Sequence, residues 1–356
     1  MDLDTGALRP LLPASELDSA TAAFTVTHDG QSVLVASPAG SLVRIISIPI
    51  NGRTPPQTLF TVANQVWFLD SAADGSVFLT LTDRPGELVH RSLAGGQSEQ
   101  IASLPQVSNE MIAVLPDGRA VVTVRTGGRT RLAVVDKGKD PVALTSTPEE
   151  TSAPFTVAGP REIAFAIGPA PHQTIAVADT ASGRITRRIP LNKGEIISLA
   201  SSPDGKILYS AAGGVIWAVP SSGGEPRMIR AGDSVTADPS GRQLVISASE
   251  SSKFRLFRVP VDGGSEQEIV APSGSIPLMN RFLSPNALNA DGRLLHPLQD
   301  SWFNAPGLLD TATGRITRIA SDDVSDYQSM AWLPDGRILA LHIGLRSTLW
   351  KFQPRR

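Results

Sequence analysis

The sequence predicts an all-β protein: one eight-bladed β-propeller of four-stranded antiparallel blades, occupying residues 1–356 as a single domain. Three observations predict it. Two sets of glycine turns recur in step along the whole chain, short β-branched runs lie between them, and no stretch carries the 3.6-residue apolar period of a long helix. The first set comprises His28-Asp29-Gly30, Ala73-Asp74-Gly75, Pro116-Asp117-Gly118, Pro203-Asp204-Gly205, Pro239-Ser240-Gly241, Ala290-Asp291-Gly292 and Pro334-Asp335-Gly336. One double-length step, between Gly118 and Gly205, holds a degenerate copy at Gly159-Pro160-Arg161. The second set carries its glycines at Gly6, Gly52, Gly95, Gly138, Gly183, Gly223, Gly263 and Gly314. Both sets give eight repeats of roughly 44 residues.

Each repeat reads as four strands. In the first turn Pro presets φ, Asp tolerates the bridge region, and Gly takes the left-handed conformation that closes a tight hairpin. The next strand is apolar on both faces, as in Ala120-Val121-Val122-Thr123-Val124 and Ile338-Leu339-Ala340-Leu341, and so must be covered on both. A third strand follows a loop, as in Val215-Ile216-Trp217-Ala218-Val219 and Leu349-Trp350-Lys351-Phe352. The second turn and a polar fourth strand such as Glu225-Pro226-Arg227-Met228-Ile229 complete the unit. Stacked four-stranded repeats of this length are propeller blades.

The ends predict how the ring closes. The eighth repeat stops after Phe352-Gln353-Pro354-Arg355-Arg356 with no fourth strand. Residues Asp2 to Leu12 match the late part of a repeat, as at Leu309 to Ile319, so the N-terminal strand is expected to complete the last blade.

Composition narrows the function. A net charge of -2 gives no electrostatic footprint for duplex nucleic acid, and the absence of cysteine excludes disulfides, thiolate metal sites and cysteine nucleophiles. No apolar run reaches a membrane span's length, and Met1-Asp2-Leu3-Asp4 lacks the basic start of a signal peptide, so a soluble chain, whole or a piece of a longer one, is expected.

The stretches Ser202-Pro203-Asp204-Gly205-Lys206-Ile207-Leu208-Tyr209 and Ile216-Trp217-Ala218-Val219-Pro220-Ser221-Ser222-Gly223-Gly224 resemble the WD-like repeats of the TolB-like propellers. The closing stretch from Met330 to Pro354 resembles the C-terminal propeller of some bacterial Ser/Thr protein kinases. That resemblance implies a sensory or interaction module. It implies an extracytoplasmic location if the parent is a membrane-anchored kinase, and a cytoplasmic one otherwise.

No nucleophile elbow, metalloprotease helix, phosphate loop, dinucleotide fingerprint or calcium loop is present. His28, His90, His172, His296 and His342 share no spacing and read as packed or solvated. Asp322, Asp323 and Asp326 read as a solvated inter-blade loop rather than a calcium site. The expected function is a non-enzymatic binding propeller, monomeric, with no cofactor and no metal. Its partner is a protein or small ligand held on the face where strands two and three are joined. A metal-dependent lactonase-like or peptidase-associated enzyme and a structural scaffold are the alternatives. Candidate binding residues on that face are Arg125, Arg129, Lys253, Trp302, Phe303 and Arg346, beside an unusually apolar connection from Ile276 to Phe282.

Overall fold

The computed structural model describes residues 10–11, 23–39, 42–63, 65–83, 85–104, 110–126, 129–250, 253–300, 303–321, 325–344 and 346–353. Among them every regular element is a β-strand, and the strands pair antiparallel into eight sheets. The chain forms two compact units, residues 85–344 and residues 1–84 with 345–356.

The smaller unit holds two sheets. One runs β1 (Ala23–Val26), β2 (Ser32–Ala39), β3 (Leu42–Pro49) and β4 (Gln57–Val62). The other joins β5 (Gln65–Ser71) and β6 (Val77–Asp83) to β30 (Arg346–Phe352), in the order β30-β6-β5. Leu34, Ile45 and Val62 of the first pack against Val66, Leu69 and Leu79 of the second. Phe60 stacks on Phe352 with ring centroids 4.3 Å apart.

The larger unit holds six sheets, here blades I to VI. Blade I combines β28 (Asp326–Trp332) and β29 (Ile338–Ile343) with β7 (Gly86–Arg91) and β8 (Glu99–Leu104), in the order β28-β29-β7-β8. Blade II is β9 (Ala113–Val114), β10 (Ala120–Thr126), β11 (Arg129–Val135) and β12 (Val142–Ala143). Blade III is β13 (Phe155–Gly159), β14 (Glu162–Ile167), β15 (Thr174–Asp179) and β16 (Ile185–Pro190). Blade IV is β17 (Ile196–Ser201), β18 (Ile207–Ala212), β19 (Val215–Pro220) and β20 (Arg227–Ala231). Blade V is β21 (Ser234–Ala237), β22 (Gln243–Glu250), β23 (Lys253–Pro260) and β24 (Gln267–Ile269). Blade VI is β25 (Arg293–Gln299), β26 (Asn304–Asp310) and β27 (Ile316–Arg318).

Because the middle strands are apolar on both faces, each sheet must be sandwiched, and the cores show by what. Leu88 and Leu341 of blade I pack with Ile112 and Val122 of blade II. Val121 and Leu132 meet Phe155 and Phe165 of blade III, and Ala164 and Val177 meet Leu199 and Leu208 of blade IV. Tyr209 and Ile216 meet Val235 and Ile246 of blade V, whose Val245 and Leu256 meet Leu294 and Leu309 of blade VI. Leu295 then returns to Val89 and Met330 of blade I. The six sheets therefore close on themselves.

Serine hydroxyls stitch the innermost strands. Ser198 Oγ accepts the Val235 N–H at 3.1 Å, Ser234 Oγ that of Leu283 at 3.0 Å, and Ser329 Oγ that of Ile112 at 3.2 Å. The hairpin turns form as the sequence predicts. Gly205 has φ +68°, and a Cβ there would lie 1.9 Å from the Ala158 carbonyl oxygen, so only glycine fits. Asp204 accepts from the Ser202 hydroxyl at 2.7 Å and the Lys206 N–H at 3.1 Å, which with the Lys206 ammonium lowers its carboxyl to about 2. These aspartates build turns.

As many sheets as repeats are described, but they are not one per repeat. β29 pairs with β7 along its whole length, Ile338 opposite Arg91 and Ile343 opposite Gly86, while β30 pairs with β6. Within residues 85–344 one sheet is thus built from the first and last strands of that unit. The exchange has a physical reason. The exchange falls between strands two and three of each repeat, so equivalent strands of two repeats trade partners while the tight turns between strands one and two stay intact. The expected N-terminal closing strand lies outside the described residues.

Candidate binding groove between blades V and VI

The long connection before blade VI, singled out by its apolar residues, builds a broken inner strand. Leu278 bridges to Leu298, Met279 donates its N–H to Pro297 at 2.9 Å, and Gln299 donates to Pro277 at 2.8 Å. The chain returns to the same strand at Leu288, opposite Leu294. Between these contacts, residues 280–286 leave the sheet and reach three other blades. Arg281 pairs with Glu110, and Ser284 shares a 2.7 Å hydrogen bond with Ser329. Asn286 Oδ1 accepts the Val114 N–H at 3.2 Å, while its carbonyl accepts from Trp332 at 2.9 Å. Asn286 sits at φ 59°, a left-handed conformation that its short polar side chain tolerates better than most.

Outside this broken strand lies a groove of about 830 Å³ between blades V and VI. Leu256, Ile269, Leu278, Leu309 and Ile316 give it an apolar floor, Val270 and Ile276 form one rim, and Lys253, Asn280 and Gln299 mark one end. Arg255 grips Glu268 through Nε–Oε1 at 2.8 Å and Nη2–Oε2 at 2.5 Å, which holds that carboxyl below its usual range. The exposed Lys253 makes no ion pair among the described residues. Behind the floor, His296 Nε2 lies 2.8 Å from the Met279 carbonyl oxygen, and its ring stacks on Phe254 at 5.5 Å. Complete burial pushes this imidazole down to about 4, so it is neutral near pH 7. A concave apolar surface with few polar groups at its margin suits binding. Among the described residues, no three His, Cys, Asp or Glu side chains come together as metal ligands would.

A solved structure assigned as TolB of Agrobacterium tumefaciens superimposes with a TM-score of 0.58 at 15% identity, covering 73% of this chain and 99% of its own. The fold is that of a TolB-like β-propeller. A second structure, TolB from Acinetobacter baumannii, gives a TM-score of 0.48 at 13% identity over 88% of this chain and 80% of its own. No sequence-family profile matches the chain, and neither does any curated protein.

On this TolB-like frame the described residues expected to bind are spread over blades II, V and VI. Lys253 is in the groove. Phe303, half-buried on blade VI, lies 6.0 Å from the Arg318 guanidinium, which pairs with Asp300 at 2.7 Å. Arg125 and Arg129 are exposed on blade II, three blades from Lys253, and Arg129 Nη1 donates to the Pro148 carbonyl at 3.0 Å. Arg346 belongs to the smaller unit, on β30. Trp302 lies outside the described residues, as does the Arg346 side chain. Sequence reasoning missed the groove floor and the serine stitches. The stitches had a signal: Ser198, Ser234 and Ser329 each stand seven residues before a turn glycine, at Gly205, Gly241 and Gly336.

Proposed function

We propose that the chain is a non-enzymatic protein-binding propeller whose working surface is the groove between blades V and VI, extending past Phe303 and the neighbouring Trp302. The observation that carries this reading is the groove itself: about 830 Å³ with an apolar floor and, at its end, a lysine with no ion pair among the described residues, built by the connection whose apolar residues are out of place on a plain surface loop. The resemblance to kinase-attached propellers supports a sensory or interaction module of a bacterial signalling protein. We also propose that residues 2–12 supply a fourth strand to β30, which pairs only with β6 among the described residues.

A peptide-display selection against the immobilised chain tests the binding reading. Enriched peptides should lose at least about tenfold in affinity on Lys253→Glu or Phe303→Ala while melting stays unchanged. A selection that enriches nothing over an unrelated propeller would remove the proposal.

A further inference from the structure

Blades II and V begin their third strands alike. Arg129-Thr130-Arg131-Leu132 and Lys253-Phe254-Arg255-Leu256 share one order of exposed, half-buried and buried positions. In both blades the fourth strand is short: β12 pairs with Ala133 and Val134, and β24 with Leu256, Phe257 and Arg258. On its outer side, away from the second strand, the start of each third strand has no neighbouring strand among the described residues.

Blade II fills that gap from its own chain. Thr151 donates its N–H to the Thr130 carbonyl at 3.1 Å and accepts the Leu132 N–H on its hydroxyl at 3.0 Å. Glu150 Oε1 accepts the Thr130 N–H at 3.4 Å. Blade VI treats the start of its third strand similarly, with Asp326 Oδ1 accepting the Asn304 N–H at 2.9 Å. A carboxylate on the first free N–H is thus the fold's own solution.

In blade V the corresponding residue is Phe254, whose outward direction follows from its neighbour. Ser249, opposite Phe254 in the β22–β23 pair, turns its N–H away to the Asp233 carboxylate at 2.6 Å. In an antiparallel ladder facing residues either exchange both backbone bonds or neither, so the N–H and C=O of Phe254 point into the groove. No carboxylate of the described residues reaches them. The chain that would cover them turns off after Ile269 through Val270-Ala271-Pro272, and proline has no N–H to offer.

Resting on the protein-binding reading above, we propose that the groove takes an extended acidic segment of a partner protein. The segment pairs its backbone with Phe254 and sets a carboxylate on that N–H beside the Lys253 ammonium. It lays an apolar side chain over Leu256, Ile269 and Leu278. Main-chain pairing supplies affinity and the apolar floor and the lysine supply selectivity. The partner reproduces in blade V what Glu150 and Thr151 do in blade II.

The probe is a synthetic peptide of residues 144–153, labelled at its N-terminus and titrated against the full chain by fluorescence anisotropy. Saturable binding is expected. Lys253→Glu should weaken it at least about tenfold, Lys253→Arg should preserve it, and a peptide with both glutamates replaced by glutamine should bind as weakly as the charge-reversed protein. A benzophenone at the peptide's leucine should cross-link to residues 270–278. No binding, equal affinity for Lys253→Glu, or cross-linking to another blade would overturn the proposal. If display-selected binders exist but ignore Lys253, the binding reading stands and only this groove chemistry falls.

Discussion

His296 is the residue whose ionisation the fold opposes most clearly. Its side chain is sealed between Phe254 and the Met279 carbonyl, and burial, aided slightly by Arg281, depresses its pKa from 6.5 to about 4. The folded state holds it neutral while the unfolded state takes up a proton below pH 6.5. Stability is therefore full above that pH and declines as pH falls toward about 4, by about 3 kcal/mol from this group alone. His90, also lowered by burial, contributes in the same direction. Chemical denaturation from pH 7 to 4 should show the decline, and His296→Gln, less stable at pH 7, should show a shallower one. Parallel slopes for the two proteins would contradict the assignment.

At the scale of elements, the segment 280–286 acts as a tie between blades, because Arg281 and Glu110 are both about three-quarters buried, at 27% and 24% exposure. Removing either charge breaks this pair in a partly dry site. Glu110→Gln and Arg281→Met should each lower the melting temperature by several degrees, and the double variant should cost clearly less than the sum. Additive losses would show that the tie carries no coupling. Such a contact was not legible in the sequence, where Glu110 and Arg281 are far apart and neither carries a motif. The strands and turns were legible, because Pro-Asp-Gly chemistry and two-faced apolar runs are local properties of Pro203-Asp204-Gly205 and Ile338 to Leu341. The groove was half legible: Ile276 to Phe282 marked the wall, but the open backbone of Phe254 depends on where Pro272 turns the chain and how Ser249 is paired. Partner choice between equivalent strands, as at β29 and β7, is set by long-range pairing that repeat arithmetic cannot reach.

For the whole molecule, the two units differ in how their sheets end. In the smaller one β30 presents an outer edge with Leu349 and Trp350 exposed at 73% and 50%. Removing residues 1–12 should lower the stability of that unit and raise aggregation, as judged by light scattering during melting, if those residues cover the edge. An unchanged melt would remove the proposed fourth strand. The larger unit makes a stronger prediction. Its six sheets pack in a closed order, with β7 and β8, the first strands after residue 84, completing the blade that β28 and β29 begin near residue 344. First and last elements are thereby joined by a full ladder from Ile338–Arg91 to Ile343–Gly86, and the faces of blade I pack on blades II and VI of the same unit. Residues 85–344 expressed alone should fold into a monomer with one cooperative thermal transition, and removing residues 85–104 from that fragment should abolish it by exposing β29 and the apolar face of blade II. If the 85–344 fragment is soluble only as an aggregate, or melts without cooperativity while the full chain melts sharply, the pairing of β29 with β7 is not what closes the ring.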